Sequence, residues 1–206
     1  MGLATRGEVD TLPEKNSQYA KDGKELARPW WRARLVGKDE AFVPKTLAII
    51  WYSATGGSRQ LAEAARDGAL DAGGVDVRFL PALKAEADDV LAADGYIFVC
   101  PENLAAIAGG MKLFFDRTYY PLLGRIEGRP YAAMICAGSD GTNAQKQLER
   151  IATGWRLKRV ADTRIVNVDA QTPEAIMAEK TIGEDALAKA REMGAMLAAG
   201  LEVGVF

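Results

Sequence analysis

Histidine is absent from the 206 residues, and with it go the Ser-His-Asp and Cys-His nucleophile systems and the common zinc sites. Hydrolytic chemistry is left with few candidates, and no residue presents itself as a catalytic acid, base or metal ligand. Cysteine is nearly as scarce, since Cys100 and Cys136 are the two in the chain, too few for a disulfide framework. Neither sign of charge is in excess: 26 Lys and Arg stand against 28 Asp and Glu, a net charge of −2. With the signs interspersed, there is no basic stripe for nucleic acid and no acidic surface dense enough to be a docking device. Long apolar runs are missing as well. The longest are strand-sized, against the roughly 20 residues that a membrane span needs. The first stretch of the chain is polar and acidic rather than a signal sequence, so the expected location is cytoplasmic, with no membrane as partner.

What is present is an ordinary globular composition, 49% apolar and 26% charged, at a length that fits one domain with an appendage. Residues 1–44 form the expected N-terminal extension, polar, rich in Lys, Glu and Gly, and without sustained periodicity. Within it, Pro29-Trp30-Trp31-Arg32 is too apolar for a solvated tail. Both tryptophans are expected to pack on the domain or on a neighbouring subunit. From Lys45 the pattern alternates strand and helix, which makes 45–206 the domain. Strands are expected at 45–52, 75–80, 95–100, 131–137 and 163–168, and helices at 58–72, 85–92, 110–122 and 144–153, with a last helix in two parts, 173–180 and 183–200. The first and third strands are apolar throughout, as strands buried on both faces should be. Helix 58–72 carries Leu61, Ala64, Ala65, Gly68 and Ala69 on one face and stops at Gly73-Gly74, a glycine C-terminal signal. Such alternation implies an α/β fold with a parallel sheet and helices on both faces. Ligands in these sheets sit at the carboxyl ends of the strands.

Three loops leave those ends with unusual chemistry: 53–58, 101–110 and 138–143. The first, Ser53-Ala54-Thr55-Gly56-Gly57-Ser58, follows a buried strand and starts a helix. It points backbone N–H groups and hydroxyls at the positive end of that helix, which suits a phosphate. It contains no lysine, unlike a Walker A loop, and it lacks the G-x-G-x-x-G of dinucleotide folds. Hydroxyls without cations suit one terminal monophosphate. The same residues also read as a plain helix N-cap, with Thr55 or Ser58 satisfying the first free N–H groups. The loop alone leaves both readings open.

Ser53-x-Thr55-Gly56-x-Ser58 resembles the phosphate loop of flavodoxins. Pro101-Glu102-Asn103 through Gly109-Gly110-Met111-Lys112-Leu113-Phe114-Phe115-Asp116-Arg117 resembles a second signature, a flavin-ring loop followed by a Gly-x-x-Lys-x-x-x-Asp-Arg helix. NAD(P)H-dependent FMN reductases and related quinone reductases share it. The resemblance spans about residues 45–170. It implies a flavodoxin-like, doubly wound five-stranded parallel sheet of order 2-1-3-4-5, with FMN as cofactor. It places the phosphate at Ser53, Ala54, Thr55, Gly56, Gly57 and Ser58, and the isoalloxazine against Pro101, Glu102, Asn103, Leu104, Ala105 and Ala106, with Gly138, Ser139, Asp140 and Gly141 near the ring edge. The ring loop has no aromatic and no Asn-Gly pair, so its backbone N–H groups are the alternative contacts. Trp51 and Tyr52 are either an aromatic wall or rim packing. Asp140 either accepts from the flavin N3–H or caps the next helix. Lys112 and Asp116, one turn apart, read as a helix-face pair.

Two classes of function follow. One is an enzyme in which FMN takes hydride from NAD(P)H and passes electrons to a quinone, a flavin or a similar acceptor, chemistry that needs no histidine because the cofactor carries it. The other is a flavodoxin-type electron carrier or a non-catalytic FMN-binding protein. A phosphate-binding domain unrelated to flavin is a further rival. Because Phe114, Phe115, Tyr119 and Tyr120 occupy more than one face of a helix, a homodimer or larger homo-oligomer is expected. With the order 2-1-3-4-5, Cys100 and Cys136 end adjacent strands and are expected to be near neighbours, yet reduced.

Overall fold

The apolar run at the head of the domain is buried in a way that only a central strand allows. In β1 (Lys45–Trp51), Leu47, Ala48, Ile49 and Ile50 are all fully buried. Their side chains alternate between two cores: Leu47 and Ile49 pack with Leu61, Ala65, Met193 and Leu197, whereas Ala48 and Ile50 pack with Phe98, Phe114 and Leu148. A computed structural model describes residues 43–206 of the chain. The packing expected of Trp30 and Trp31, and nearly all of the extension, lie outside the described residues.

β1 lies between β2 (Val75–Pro81) and β3 (Gly95–Asn103), and β5 (Pro130–Ala137) pairs with the far side of β3. All three pairings are parallel. The edge beyond β5 is shared by two short strands. β6 (Lys158–Arg159) pairs with Pro130 and Tyr131, and β7 (Arg164–Asn167) pairs with Met134 to Ala137. The five strands expected from sequence thus stand in the order 2-1-3-4-5, with the fifth preceded by the short β6 on the same edge. One element was not anticipated. Residues 101–110 read as a loop, but β3 continues through Asn103 and folds back as β4 (Ala106–Ile107), antiparallel to it.

Helices α1 (Gly57–Ala72) and α6 (Glu184–Val203) cover one face of the sheet. On the other lie α2 (Ala87–Leu91), α3 (Gly109–Leu122) and α4 (Thr142–Gly154). The short α5 (Pro173–Met177) ends three residues before the expected stop and is capped by the Thr172 hydroxyl. Of the four aromatics expected around α3, Phe114 and Phe115 are core residues, and Tyr119 and Tyr120 are exposed. No helix among the described residues is long and apolar enough to cross a membrane.

α1 and α6 approach so closely that neither has room for a side chain at the crossing. A Cβ at Gly194 would overlap the carbonyl oxygen of Ala65, and one at Gly68 would overlap that of Arg191. Gly194→Ala gains up to about 1 kcal/mol of helix propensity, but backbone is what it meets, and no rotamer change can relieve that. Overpacking typically costs about 1–3 kcal/mol, so a net loss of stability is expected in denaturant unfolding. An unchanged or raised midpoint would mean that the helices do not cross at this point.

Candidate functional site

The sheet order sets the ends of β1, β3 and β5 side by side, so the three chemically unusual loops leave one edge of the sheet together. At the end of β1 the two aromatics part. Trp51 stacks on Phe79 with centroids 5.3 Å apart, and the Arg59 guanidinium lies 5.9 Å from its ring. Tyr52 turns to the other face and fills the space where a Gly110 side chain would stand. Both thus pack at the rim of the sheet, on opposite faces.

The turn that follows is not capped in the manner of a plain N-cap. The residue before α1 is Gly56, in left-handed backbone at φ +87°, and no side chain caps the helix. The Ser53 hydroxyl accepts from the Gly56 N–H at 3.1 Å, which folds the turn on itself. Neither Thr55 nor Ser58 caps α1. Instead the Ser58 hydroxyl is buried beside the Cys136 thiol, and no acidic residue occupies the helix's first turn. An uncapped N-terminus, its dipole and the hydroxyls of the turn make an anion-accepting cradle. An acetal, amide or other neutral group would leave the dipole uncompensated. A phosphate fits this donor set. Gly57 is required by packing, since a Cβ there would press on Cys136 Sγ at 2.8 Å.

A segment that the sequence did not flag holds this turn from outside. The Lys180 N–H donates to the Thr55 carbonyl at 2.8 Å. The Gln60 amide bridges the Lys180 carbonyl, at 2.5 Å, and the Ile182 N–H, at 3.1 Å. The Lys180 ammonium is spent on the carbonyls of Ala175, Ile176 and Ala178, so it is not a phosphate cation. These residues lie 120 positions from Gln60 in the chain, and no local pattern marks them.

The second loop is a hairpin. Its turn residues, Leu104 and Ala105, have φ of +51° and +56°, the left-handed pair of a two-residue type I′ turn that normally takes Asn or Gly. Leu104 is wholly exposed at the tip. The third loop ends at Gly141, φ +85°, where α4 begins, again with no side-chain cap. Asp140 does not cap α4; its carboxylate accepts from the Thr142 hydroxyl at 2.6 Å. The two loops are tied together. Glu102 Oε2 accepts from the Gly141 N–H at 2.9 Å, Asn143 donates to the Ala105 carbonyl, and Gln147 Oε1 accepts from the Ile107 N–H at 2.9 Å. Glu102 Oε1 is buried and unpartnered among the described residues. Ser139 is fixed through its carbonyl by Asn167, and Gly138 packs against the Ala170 carbonyl. Pro101 accepts from the Ala108 N–H at 3.0 Å. Lys112 and Asp116 are an exposed ion pair at 2.6 Å, as their spacing predicted.

This doubly wound sheet, with a hydroxyl- and glycine-rich turn after its first strand and two glycine-started helices at its carboxyl edge, defines a flavodoxin-like fold. Comparison with known proteins agrees. Residues 75–172 match the family model of NADPH-dependent FMN reductases. A flavodoxin of Aquifex aeolicus is 33% identical over 93 residues, 45% of this chain and 50% of that protein, so the chain spans half the length of the curated relative. A solved flavodoxin from the domain Archaea superposes with a TM-score of 0.62 at 16% identity, over 76% of this chain and 99% of that one. A flavodoxin, WrbA-like protein from Agrobacterium tumefaciens gives 0.55 at 19% identity, over 77% of this chain and 98% of that one.

The cysteines end adjacent strands, but not facing each other. Pro101 is the register partner of Cys136, and Cys100 that of Ile135, so the two thiols belong to the cores on opposite faces of the sheet. That divergence is incompatible with a bridge, and both are free. Burial pushes the Cys100 thiol up to about 12, against a smaller opposing effect of a backbone hydrogen bond from Ala108. Burial also raises the Cys136 thiol, with Lys180 and Ser58 acting the other way. Because the folded Cys100 holds its proton more tightly than the unfolded chain does, its contribution to stability is complete below pH 9.0 and is lost as the pH rises toward about 12. At pH 8 a thiol reagent is expected to leave Cys100 unmodified in the folded protein and to label both cysteines in denaturant. Stoichiometric labelling of native protein would show that the site opens.

Proposed function

We propose that the carboxyl-edge crevice of residues 45–206 holds FMN, and that the protein passes electrons from NAD(P)H to a small acceptor such as a quinone or a flavin. The observation that carries this reading is the start of α1, with Gly56 in left-handed backbone, no side-chain cap and no acidic residue in the first turn. Similarity of residues 75–172 to NADPH-dependent FMN reductases supports it. FMN, when bound, supplies hydride acceptance and electron release. The residues of the chain bind and orient it. The N–H groups and hydroxyls of Ser53 to Ser58 take the phosphate, with Ala54 and Gly57 contributing backbone only. The hairpin from Pro101 to Ala106 and the turn from Gly138 to Gly141 take the ring. Within that frame Glu102 is held by Gly141, which leaves one buried carboxylate oxygen as an acceptor. Exposed Leu113, Tyr120 and Leu123 on and beside α3 support a homodimer or larger assembly.

The second reading, a flavodoxin-type electron carrier, is favoured by the similarity to the Aquifex aeolicus flavodoxin. Steady oxidation of NAD(P)H with a quinone or free flavin, dependent on the protein, decides for the enzyme. Reduction only by a protein partner decides for the carrier.

FMN is expected to bind more tightly than FAD, because the turn closes on one terminal phosphate and the chain has no dinucleotide glycine fingerprint. Titration of flavin-free protein with each cofactor checks this, and tighter FAD binding would sink it. Thr55→Val keeps the shape of the side chain and removes a donor to a charged acceptor. That costs on the order of 1.5–3 kcal/mol, or a roughly ten- to hundredfold loss of FMN affinity. Since Thr55 does not cap α1, the unfolding midpoint of the flavin-free protein should hardly move. Unchanged FMN affinity would remove the phosphate from this turn.

A further inference from the structure

Between β7 and α6 the chain runs past the phosphate turn as a segment, 170–182, that is anchored at its two ends. At the start the Ala170 N–H donates to the Gly138 carbonyl at 2.8 Å, and at the end Ile182 is buried in the core of α1 and α6. The α5 turn between the anchors packs on little. None of its residues is buried, and Ile176 and Met177 are exposed. Its hydrogen bonds are internal, with Thr172 capping its start and the Lys180 ammonium its carbonyls. Among the described residues, every hydrogen bond that ties 171–182 to a distant part of the chain ends on Thr55 or Gln60.

The bond to Thr55 fixes a peptide plane. Because the Thr55 carbonyl is drawn onto the Lys180 N–H at 2.8 Å, the N–H of the same trans peptide, which belongs to Gly56, points the opposite way. There it donates to the Ser53 hydroxyl at 3.1 Å. A flipped peptide would replace that donor by a carbonyl oxygen on the inner side of the turn, which repels an anion. The turn itself does little to prevent the flip, since glycine takes either sign of φ at little cost and Gly56 stands at φ +87°. The restraint comes from outside, and Gln60 fastens it. Gln60 Oε1 accepts from the Ile182 N–H at 3.1 Å and Nε2 donates to the Lys180 carbonyl at 2.5 Å. With both ends of one amide engaged on either side of Thr181, the segment cannot slide without breaking one of these bonds.

We propose that Gln60 is a positioning residue for the phosphate: it latches segment 170–182 onto the turn, and the latched Lys180 N–H keeps the Thr55–Gly56 peptide in its anion-accepting orientation. The inference rests on the reading that this turn takes the FMN phosphate, and it names what makes the turn ready to do so. Lys180 acts here through its backbone N–H and not its charge. Such preorganisation raises affinity by removing an ordering cost from the binding step. The coupling is reciprocal, so an anion in the turn tightens the latch by the factor by which the latch tightens the anion.

The test compares FMN with riboflavin, the same ring system without the phosphate, by titration into flavin-free wild type, Gln60→Met and Gln60→Ala, with amide hydrogen exchange of the wild type followed in parallel. FMN affinity should fall roughly tenfold in both variants, the effect of losing one or two neutral hydrogen bonds, and riboflavin affinity should stay where it was. In the wild type, FMN should slow exchange at the Lys180 and Ile182 amides and riboflavin should not. An equal loss for both flavins means that Gln60 only holds the fold, and a preference for FMN that survives in both variants overturns the latch while leaving the phosphate in the turn. Lys180 exchange that FMN does not change in the wild type overturns it as well, without recourse to any variant. A wild type that binds FMN no better than riboflavin refutes the phosphate reading of the turn itself, and the latch falls with it.

Discussion

A parallel sheet covered by helices on both faces has one edge at which strands hand over to helices, and in this protein that edge is where the three chemically unusual loops gather. β1, β3 and β5 are held in parallel register from Leu47 with Gly95 to Pro101 with Cys136. Their ends therefore cannot slide relative to one another without exposing the alternating side chains of both cores, because a one-residue slip moves every side chain to the other face. The placement of the turn at 53–58, the hairpin and the turn at 138–141 is a consequence of that packing. Helices α1 and α4 then start from glycines in left-handed backbone, and neither carries a side-chain cap, so two helix N-termini face the same edge with free donors.

The hairpin and the α4 turn behave as one unit. Glu102, Asn143 and Gln147 cross-link them, and two non-glycine residues, Leu104 and Ala105, are kept in a conformation that costs free energy for residues with a Cβ. Strain of this kind persists only where the surroundings over-determine it. The surrounding constraint here is visible: β4 is pinned by Gln147, the Ala105 carbonyl by Asn143, and the first strand of the hairpin by Glu102. The phosphate turn is held by different means, through Gln60 and the backbone of Lys180 and Ile182.

Much of this was legible because burial on two faces leaves a strong mark on sequence. The runs that became β1 and β3 carry apolar residues at every position, and the face of α1 from Leu61 to Ala69 follows helical period, so strand order and layering could be expected once a resemblance to flavodoxins supplied the order. The hairpin was hidden because Leu104 and Ala105 carry none of the usual turn chemistry. The opposite placement of Cys100 and Cys136 depends on a one-residue offset between strands, which no single strand's pattern reveals. Asp140 looked like a cap because its type suits one; Gly141, one residue on, takes that position instead. The Lys180 contact with Thr55 is long-range and backbone-mediated, so it leaves no trace in residue type.

The charges around the edge are of two kinds. The turn at 53–58 has no cation of its own, since Lys180 is turned onto carbonyls, and the Glu179 carboxylate stands 3.5 Å from where a Gly56 side chain would be. Any attraction of that turn for an anion thus comes from N–H groups, hydroxyls and the α1 dipole, short-range interactions that act on a group seated in the turn and little beyond it. Lys146 and Arg150 are the reverse, exposed and without a hydrogen-bond or ion-pair partner among the described residues, with a reach set by the ionic strength and extending about 8–10 Å at physiological salt. A chain of net charge −2 that leaves two adjacent cations uncompensated on one helix, beside an apolar groove lined by Ala106, Ile107 and Ile151, has a local field unlike its average. Overall charge is that average, and the field at any one face is set by the few residues that stand there unpaired.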